Sequence, residues 1–455
     1  GAVMLAYRAE TGTTHAIDGG MVAPRALDPV AYQLSGETAA DLFAWPAVEG
    51  DINLKGPLSF AVPGGLAALG LAHETFARMP WAELVAPARQ LAEQGLEIDW
   101  YAALLVSTAA RDLRDFAGSA AVYLADGLPP VPSPVGNKAT LLLAGLDQSL
   151  ALVAEEGAET LYRGGLAEQV AADAQALGSP LAADDLAAYR AALREPLHAR
   201  YGSADIFAMP GLFAGRTLLA CLAGLAGQPF EGDWPRAAAF GSYAESLRRV
   251  YEKRLLEDGH AARSSPAPDC TSHVSVIDAA GNMVTLTQTL LSLFGSKVVL
   301  PSSGILMNNG IMWFDPRPGQ PNSLAPGVRP LSNMCPVIAQ SEAQRIAIGA
   351  SGGRRIMPAV MQILSFVFDY GMSLEEAFAQ ARIDVTGEGV VTMSRDLDHE
   401  SQAALRATFG AEPVRAVAYP LPFACPVAVL HDLLENDHYG TAEVIHPWAD
   451  AVAVE

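Results

Sequence analysis

The sequence has few of the residue patterns that mark a metal protein, a membrane protein or a disulfide-stabilised protein. Its four cysteines, Cys221, Cys270, Cys335 and Cys425, are widely scattered and form no CxxC pair, which argues against structural zinc and a disulfide framework. The nine histidines include no HExxH motif, so we predict no metal and no cofactor. No uninterrupted apolar run reaches the roughly 18 residues that a membrane span needs, and residues 356–368 are too short.

Positive charge is also scarce. Lys and Arg number 29 against 50 Asp and Glu, which gives a formal net charge of −21. Such acidity disfavours binding to nucleic acid or anionic lipid, because their phosphates carry charge of the same sign. It does not exclude an anionic small molecule held in a local pocket.

The amino-acid composition favours a compact globular protein, because 51% of the residues are hydrophobic and 17% are charged. Residues 2–7 have the pattern of a strand already under way at the first residue. We therefore expect the chain to start within its fold. The sequence predicts no compartment, and cytoplasm and periplasm both remain open.

The first 250 residues predict mainly helices, after an opening hairpin of residues 3–7 and 14–17. Helical periodicity covers residues 66–79, 81–94, 138–156, 165–177, 184–192 and 217–225, whereas residues 202–209 predict a strand. Pro87 is expected to break or restart its helix.

After residue 253 the helical pattern gives way to a linker and then to a predicted hairpin. Residues 261–268 have linker composition, and residues 273–278 and 283–289 then predict a hairpin that turns at Gly281-Asn282. Further strands are predicted at 303–307 and 345–349, and an amphipathic helix at 353–370. On this basis Thr285 and Thr287 are ordinary strand residues.

Several ordered motifs surround this hairpin. They are residues 270–278 with Gly281-Asn282, 303–309, 329–334 and 351–354, and upstream residues 162–164, 185–189 and 194–197. Together they resemble the gamma-glutamyltransferase family of N-terminal nucleophile hydrolases, including its cephalosporin-acylase-like members. The resemblance covers nearly the whole chain.

The resemblance implies an α/β fold, a four-layer αββα sandwich, and self-cleavage between Cys270 and Thr271. Cleavage would give a large subunit of residues 1–270, mainly helical and N-terminally incomplete, and a small subunit of residues 271–455. The two subunits would remain associated as one interleaved fold.

The proposed chemistry has a physical rationale. A hydroxyl is a poor nucleophile until a nearby base takes its proton. Once the bond before Thr271 is cut, its own α-amine, with an unperturbed pKa of about 8, can act as that base.

The resemblance assigns the other catalytic roles as well. Thr289 would orient the Thr271 hydroxyl, and Gly352 and Gly353 would form the oxyanion hole. Taken alone, Thr289 could serve strand propensity and a Gly-Gly pair could be a simple turn, but their place in matching motifs favours the functional interpretation.

The substrate-binding positions depart from the family pattern. The family's carboxylate-binding arginine falls at Gly20, and its polar acceptors for the glutamyl amine fall at Leu291, Gly310 and Trp313. Trp313 then indicates either ordinary packing or an apolar pocket wall.

Other residues could supply the missing contacts. Asp315 could replace an acceptor by a shift of its loop, and Ser332 and Asn333 keep donors that could hold a carboxylate. The loop of residues 313–329 also looks shorter than in relatives with a lid.

The sequence therefore predicts an enzyme that cleaves amides and passes the acyl group to water or to an amine acceptor. The leading hypothesis is action on gamma-glutamyl or similar acyl amides, such as glutathione-like compounds. One alternative is an acylase for glutaryl or aliphatic amides, and another is an unprocessed, non-catalytic relative. The predicted partners are a small-molecule substrate and the two subunits themselves.

Overall fold

The computed structural model describes residues 1–38, 45–132, 139–228, 230–257, 269–385 and 390–454. Its strands are β1 (Ala2–Arg8), β2 (Thr13–Gly19), β3 (Leu34–Thr38), β4 (Pro46–Val48), β5 (Leu96–Glu97), β6 (Thr140–Leu141), β7 (Ala192–Arg194), β8 (Leu197–Tyr201), β9 (Ala204–Ala208), β10 (Asp269–Ile277), β11 (Met283–Ser292), β12 (Val337–Gln340), β13 (Gln344–Ser351), β14 (Ile383–Asp384), β15 (Thr392–Ser394), β16 (Glu412–Val414), β17 (Cys425–Asp432) and β18 (Asp437–Ala442). Its α-helices are α1 (Gly65–Phe76), α2 (Trp81–Gln94), α3 (Trp100–Arg114), α4 (Ala117–Tyr123), α5 (Leu146–Glu156), α6 (Thr160–Arg163), α7 (Gly165–Ala176), α8 (Ala183–Ala188), α9 (Gly215–Leu225), α10 (Ala237–Glu257), α11 (Ile356–Tyr370), α12 (Leu374–Ala379) and α13 (His399–Phe409).

Two antiparallel sheets stack face to face at the centre of the molecule. The first has the strand order β10-β11-β1-β2-β7 and the second β18-β17-β13-β12-β9-β8. Apolar side chains from both sheets, among them Leu5, Met283, Ile338 and Ala347, fill the space between them. Each sheet combines strands from both sides of the Cys270–Thr271 bond, so the sheets cannot be divided into two separate domains.

Helices cover the outer faces of this pair of sheets. Helix α1 packs through Ala68 on Ala2, Met4 and Ile17 of the first sheet. Helices α9, α10 and α11 bury their apolar faces on the second sheet. The arrangement is a helix, sheet, sheet, helix sandwich, which confirms the predicted αββα fold.

Some sequence predictions of helices and strands were wrong, each for a local reason. Helix α2 runs through Pro87 without a break, and Trp81 at its first residue donates a 2.7 Å hydrogen bond to the Val153 carbonyl of α5. The helix predicted from residue 138 begins only after Gly145, whose φ of +81° stops it from extending further back. The strand predicted at residues 303–307 is reduced to one isolated bridge, from Leu306 to Val299, which follows a turn that ends at Ser303.

Helix α11 is buried all round from Ile356 to Val367, and is therefore not the amphipathic helix that was predicted. The sequence analysis also missed α3 and α10. The predicted linker of residues 261–268 lies outside the described residues. Among those that are described, no helix has the length and hydropathy of a membrane span.

Candidate active site

The β10–β11 hairpin places Thr271 directly opposite Thr289. The Thr271 hydroxyl donates a 3.2 Å hydrogen bond to Thr289 Oγ1, and the same oxygen accepts a 2.8 Å hydrogen bond from the Leu291 backbone N–H. Thr289 therefore connects the candidate nucleophile to the backbone that follows β11.

The strand ladder is irregular at the predicted cleavage site. Thr271 pairs with Thr289 but Cys270 pairs with Leu291, so Leu290 is an extra residue and the register shifts between Cys270 and Thr271. Bulges of this kind bend a strand and redirect its side chains, and they are frequent beside active sites.

The backbone after the bulge is strained. Leu291, Phe294 and Lys297 have φ values of +92°, +57° and +67°, a region that residues other than glycine rarely adopt. The buried Lys297 ammonium holds this loop by donating to the carbonyl oxygens of Leu293 and Gly295. Local hydrogen bonds therefore maintain the strained conformation of this loop, which follows β11, the partner strand of the candidate nucleophile.

The inner faces of β10 and β11 carry polar side chains where a sandwich core is normally apolar. The His273 ring lies within hydrogen-bonding distance of Thr287 Oγ1 at 2.9 Å, Ser275 Oγ at 3.0 Å and Thr285 Oγ1 at 3.1 Å. Thr285 also donates to the Ile348 carbonyl of the second sheet at 3.2 Å. These threonines therefore do more than fill strand positions, and sequence reasoning missed both their role and that of His273.

Burial fixes the protonation state of His273. It lowers the pKa of the imidazole to about 3, because the charged form would lose its hydration between the sheets. The ring is therefore neutral at physiological pH. A Cβ on Gly349 would lie 2.2 Å from the His273 ring, so glycine is needed there for the two sheets to approach.

The contact between Gly349 and His273 also locates the oxyanion candidates. Thr271 lies two residues from His273 along β10, and Ser351 lies two residues from Gly349 along β13. Thr285 contacts Ile348 of β13. His273 lies closer to the Thr271 end of the hairpin, and it contacts Gly349, which lies closer to the end of β13. Continued by two residues, this register brings the Thr271 end of β10 toward the end of β13, where Gly352 and Gly353 follow.

Gly352 and Gly353 have a conformation suited to binding an anion. Their φ values are +135° and +57°, and a Cβ on Gly352 would lie 2.7 Å from Ala424 Cα. They begin the 3-10 turn that leads into α11. Backbone N–H groups at a helix N-terminus carry partial positive charge, so this turn can stabilise a tetrahedral oxyanion.

A cavity of about 330 Å³ lies at the end of β2. Two of the four residues predicted to bind substrate, Trp313 and Ser332, line its wall together with Gly20. Asn333 is buried beside Ser332 and does not belong to the lining.

Asp315 is not brought to this cavity. Its side chain is fully buried and forms a bidentate ion pair with Arg317, with nitrogen–oxygen distances of 2.9 and 2.7 Å. The pair holds the loop after Trp313 in place. Among the described residues, no group of His, Cys, Asp or Glu has the arrangement of a metal site.

The amino-acid sequence of the chain is clearly similar to those of known proteins. The gamma-glutamyltranspeptidase family model matches residues 1–268 and 255–416. An acylase ACY 1 proenzyme from Pseudomonas sp. (strain V22) is 32% identical over 395 residues, which cover 78% of this chain and 69% of the acylase. A glutathione hydrolase proenzyme from Escherichia coli (strain K12) is 27% identical over 434 residues, with 83% and 71% of the two chains covered.

The fold comparison agrees. The crystal structure of a cephalosporin acylase from Bacillus halodurans superposes with a TM-score of 0.83 at 21% identity, and the match covers all of this chain and 87% of that one. The chain belongs to the gamma-glutamyltranspeptidase family. It is an enzyme of the N-terminal nucleophile class, which hydrolyses or transfers acyl groups from amides.

Proposed function

We propose that the chain cuts its own Cys270–Thr271 bond and then uses Thr271 as the nucleophile in amide hydrolysis or acyl transfer. The observation that carries this proposal is the 3.2 Å contact between the Thr271 and Thr289 hydroxyls, at the end of the hairpin that the strand register brings toward the Gly352-Gly353 turn. Nucleophile, orienting group and oxyanion donors then converge on one point.

Self-cleavage follows from the same geometry. The Thr271 Oγ attacks the Cys270 carbonyl carbon, its proton passes to the Thr271 nitrogen as the Cys270–Thr271 C–N bond breaks, and the acyl group moves to oxygen as an ester. Water then hydrolyses the ester and leaves a Cys270 carboxylate and a free Thr271 amine. The redirected backbone at the bulge favours this bond over its neighbours.

The mature enzyme repeats this chemistry on a small-molecule substrate. The freed α-amine takes the hydroxyl proton, Thr271 Oγ attacks the amide carbonyl, and the Gly352 and Gly353 N–H groups stabilise the oxyanion. The leaving amine takes a proton and departs, and water or an amine acceptor then releases the acyl group from Thr271. Gamma-glutamyl or similar acyl amides, including glutathione-like compounds, are the substrate class.

A second candidate is an acylase for acyl groups that lack the glutamyl amine, and one observation favours it. A Cβ on Gly310, where the family carries an amine-binding residue, would lie 2.5 Å from Met21 Sδ. A thioether occupies that space, and it is a poor acceptor for an ammonium group.

Intact mass of the purified protein tests self-cleavage. The parent should give two fragments that meet at the Cys270–Thr271 bond, and Thr271→Ala should remain one chain. Thr11→Ala, an exposed threonine in the turn between β1 and β2, serves as the matched control and should be cut like the parent. A parent that stays whole, or a Thr271→Ala chain cut at the same bond, would disprove the role of Thr271.

A further inference from the structure

The loop that follows β11, residues 293–297, is built around a buried ammonium group. Lys297 is only 8% exposed. Its Nζ donates to the carbonyl oxygens of Leu293 and Gly295 and, at 3.3 Å, to Oγ of Ser292, the last residue of β11. Three oxygens thus converge on one buried point. Because oxygens that face a common centre repel one another unless positive charge lies between them, the ammonium group favours this conformation and the oxygens alone oppose it.

Further hydrogen bonds anchor the loop on both sides of the ammonium group. Asn309 Oδ1 accepts from the Ser292 N–H at 3.1 Å, and Asn309 Nδ2 donates to Ser292 Oγ at 2.7 Å. The Ser292 hydroxyl in turn donates to the Gly295 carbonyl at 3.1 Å. At the other end, the buried Ser119 hydroxyl of α4 donates to the Lys297 carbonyl at 2.6 Å. The ammonium group therefore lies at the centre of a network that is fixed to two other parts of the fold.

Apolar packing covers this loop as well, but it does not fix the direction of the carbonyl groups. Leu293 packs on Val106 and Ala109 of α3, and the Phe294 ring lies 4.9 Å from the Tyr123 ring of α4. Such contacts are non-directional. They favour a covered loop, whereas the hydrogen bonds of the ammonium group determine which way its oxygens point.

The loop is joined directly to the hydroxyl groups of the candidate active site. Leu291, next to Ser292, has a φ of +92° and donates its N–H to Thr289 Oγ1 at 2.8 Å. The same oxygen accepts the Thr271 hydroxyl at 3.2 Å. A leucine at this φ is strained and persists only where its surroundings hold it. Leu291 thus connects the residues around the ammonium group to the hydrogen bonds of the candidate nucleophile.

We infer that Lys297 is a positioning residue, and that its ammonium group acts as a built-in cation of the active site. It gathers the loop oxygens and so holds Leu291 with its N–H directed at Thr289, and Thr289 holds the Thr271 hydroxyl for attack. The inference rests on the proposed function, because it takes Thr271 as the nucleophile. Lys297 acts through its neighbours and not on the substrate, so its loss should slow the reaction and leave substrate affinity unchanged.

Removing the charge while keeping an unbranched side chain is the first test. Lys297→Met should slow self-cleavage by about 10- to 100-fold, measured as a time course of intact mass after cell-free synthesis, because small displacements of a reacting group have effects of this size. Lys253→Met changes an exposed lysine of α10 and should be cut at the parent rate. Cleavage of Lys297→Met at the parent rate would overturn the inference and leave the role of Thr271 intact.

Steady-state kinetics of the matured variant separate positioning from binding. The substrate is whichever of gamma-L-glutamyl and glutaryl nitroanilide the parent turns over faster. Lys297→Met should lower its kcat by at least about tenfold and change its KM by less than about twofold. A raised KM at unchanged kcat would place Lys297 in substrate binding and refute the positioning role.

Chemical rescue distinguishes a cation from a side chain that only fills space. Lys297→Ala lacks the three carbons and the nitrogen beyond Cβ, and n-propylammonium contains these same atoms. Added to purified, uncut Lys297→Ala chain, n-propylammonium should speed self-cleavage by at least about fivefold. The uncharged n-propanol at the same concentration should not. Equal acceleration by both compounds would show that volume suffices and would overturn the inference.

Hydrogen exchange reports on the loop without any cleavage. In a Thr271→Ala background, Lys297→Met should speed exchange of the amides of residues 291–297 by at least about tenfold and leave those of β17 unchanged, which excludes general unfolding. If no chain is ever cut but this difference appears, the proposed function fails and the assignment of Lys297 to the loop stands. Unchanged exchange in the loop would refute the role of Lys297.

Discussion

Thr289→Val is the substitution that most directly tests the catalytic arrangement. Valine keeps the shape and strand propensity of threonine but removes the oxygen that accepts two hydrogen bonds, one from the Thr271 hydroxyl at 3.2 Å and one from the Leu291 N–H at 2.8 Å. The first loss should affect the rate of self-cleavage and the second the stability of the loop.

The two effects can be estimated separately. Leu291 is only 3% exposed, so leaving its N–H without this acceptor should cost about 1–3 kcal/mol of unfolding free energy. Loss of the bond that orients the Thr271 hydroxyl removes about 0.5–1.5 kcal/mol from the stabilisation of the reactive geometry. That corresponds to cleavage slower by up to about tenfold.

The assay is a time course of intact mass after cell-free synthesis, in which the precursor is seen before it is cut. Thr289→Ser is the control, because it restores the hydroxyl and should cleave at close to the parent rate. Urea unfolding in a Thr271→Ala background, where the chain stays whole, measures the stability term. If Thr289→Val cleaves as fast as the parent, Thr289 does not orient the nucleophile.

Three further substitutions probe other parts of the site. Gly352→Ala should abolish self-cleavage and lower the melting temperature. Gly352 has φ +135°, and a Cβ at this position would lie 2.7 Å from Ala424 Cα, so both the backbone and the space oppose a side chain. Cleavage at the parent rate would exclude Gly352 from the oxyanion hole. The pKa of His273 is about 3 in the folded chain and 6.5 in the unfolded chain. Below pH 6.5 the unfolded chain therefore binds a proton that the folded chain does not, so the stability that is present above pH 6.5 is lost as the pH falls toward 3. His273→Gln should remove about 2 kcal/mol of the stability difference between pH 7.5 and 5.0 in urea unfolding of the Thr271→Ala chain, and an unchanged difference would argue against a buried neutral ring. Leu291→Asn should raise gamma-glutamyl relative to glutaryl turnover, since asparagine tolerates positive φ and adds an acceptor for the amine; an unchanged ratio of kcat/KM would place residue 291 outside the substrate contacts.

The sequence was sufficient to predict the family, because its motifs occur in the family's order, and the resemblance to that family then implied the enzyme class and the four-layer sandwich. It also predicted the hairpin that carries Thr271 and Thr289, since a turn at Gly281-Asn282 fixes which residues oppose each other. The catalytic roles of these residues stay predictions until the variants are measured.

Burial within β10 could not be read from its pattern. Val274 and Val276 are 47% and 53% exposed, whereas Thr271, His273 and Ser275 face the second sheet. Hydrophobic periodicity predicts the opposite orientation. The inward polar face exists because its side chains satisfy one another across the hairpin, a pairing that the spacing along one strand does not reveal.

The surroundings of Gly20 and Gly310 were hidden for a related reason. Sequence comparison recorded a missing arginine at Gly20 and apolar residues at the amine-binding positions, and each loss in isolation suggests a weakened glutamyl site. Folding brings Arg329 from more than 300 positions away into the space beside Gly20 and Met21 into the space beside Gly310. The space beside Gly20 is thus occupied by a guanidinium group and the space beside Gly310 by a thioether, so the two departures from the family pattern have different surroundings.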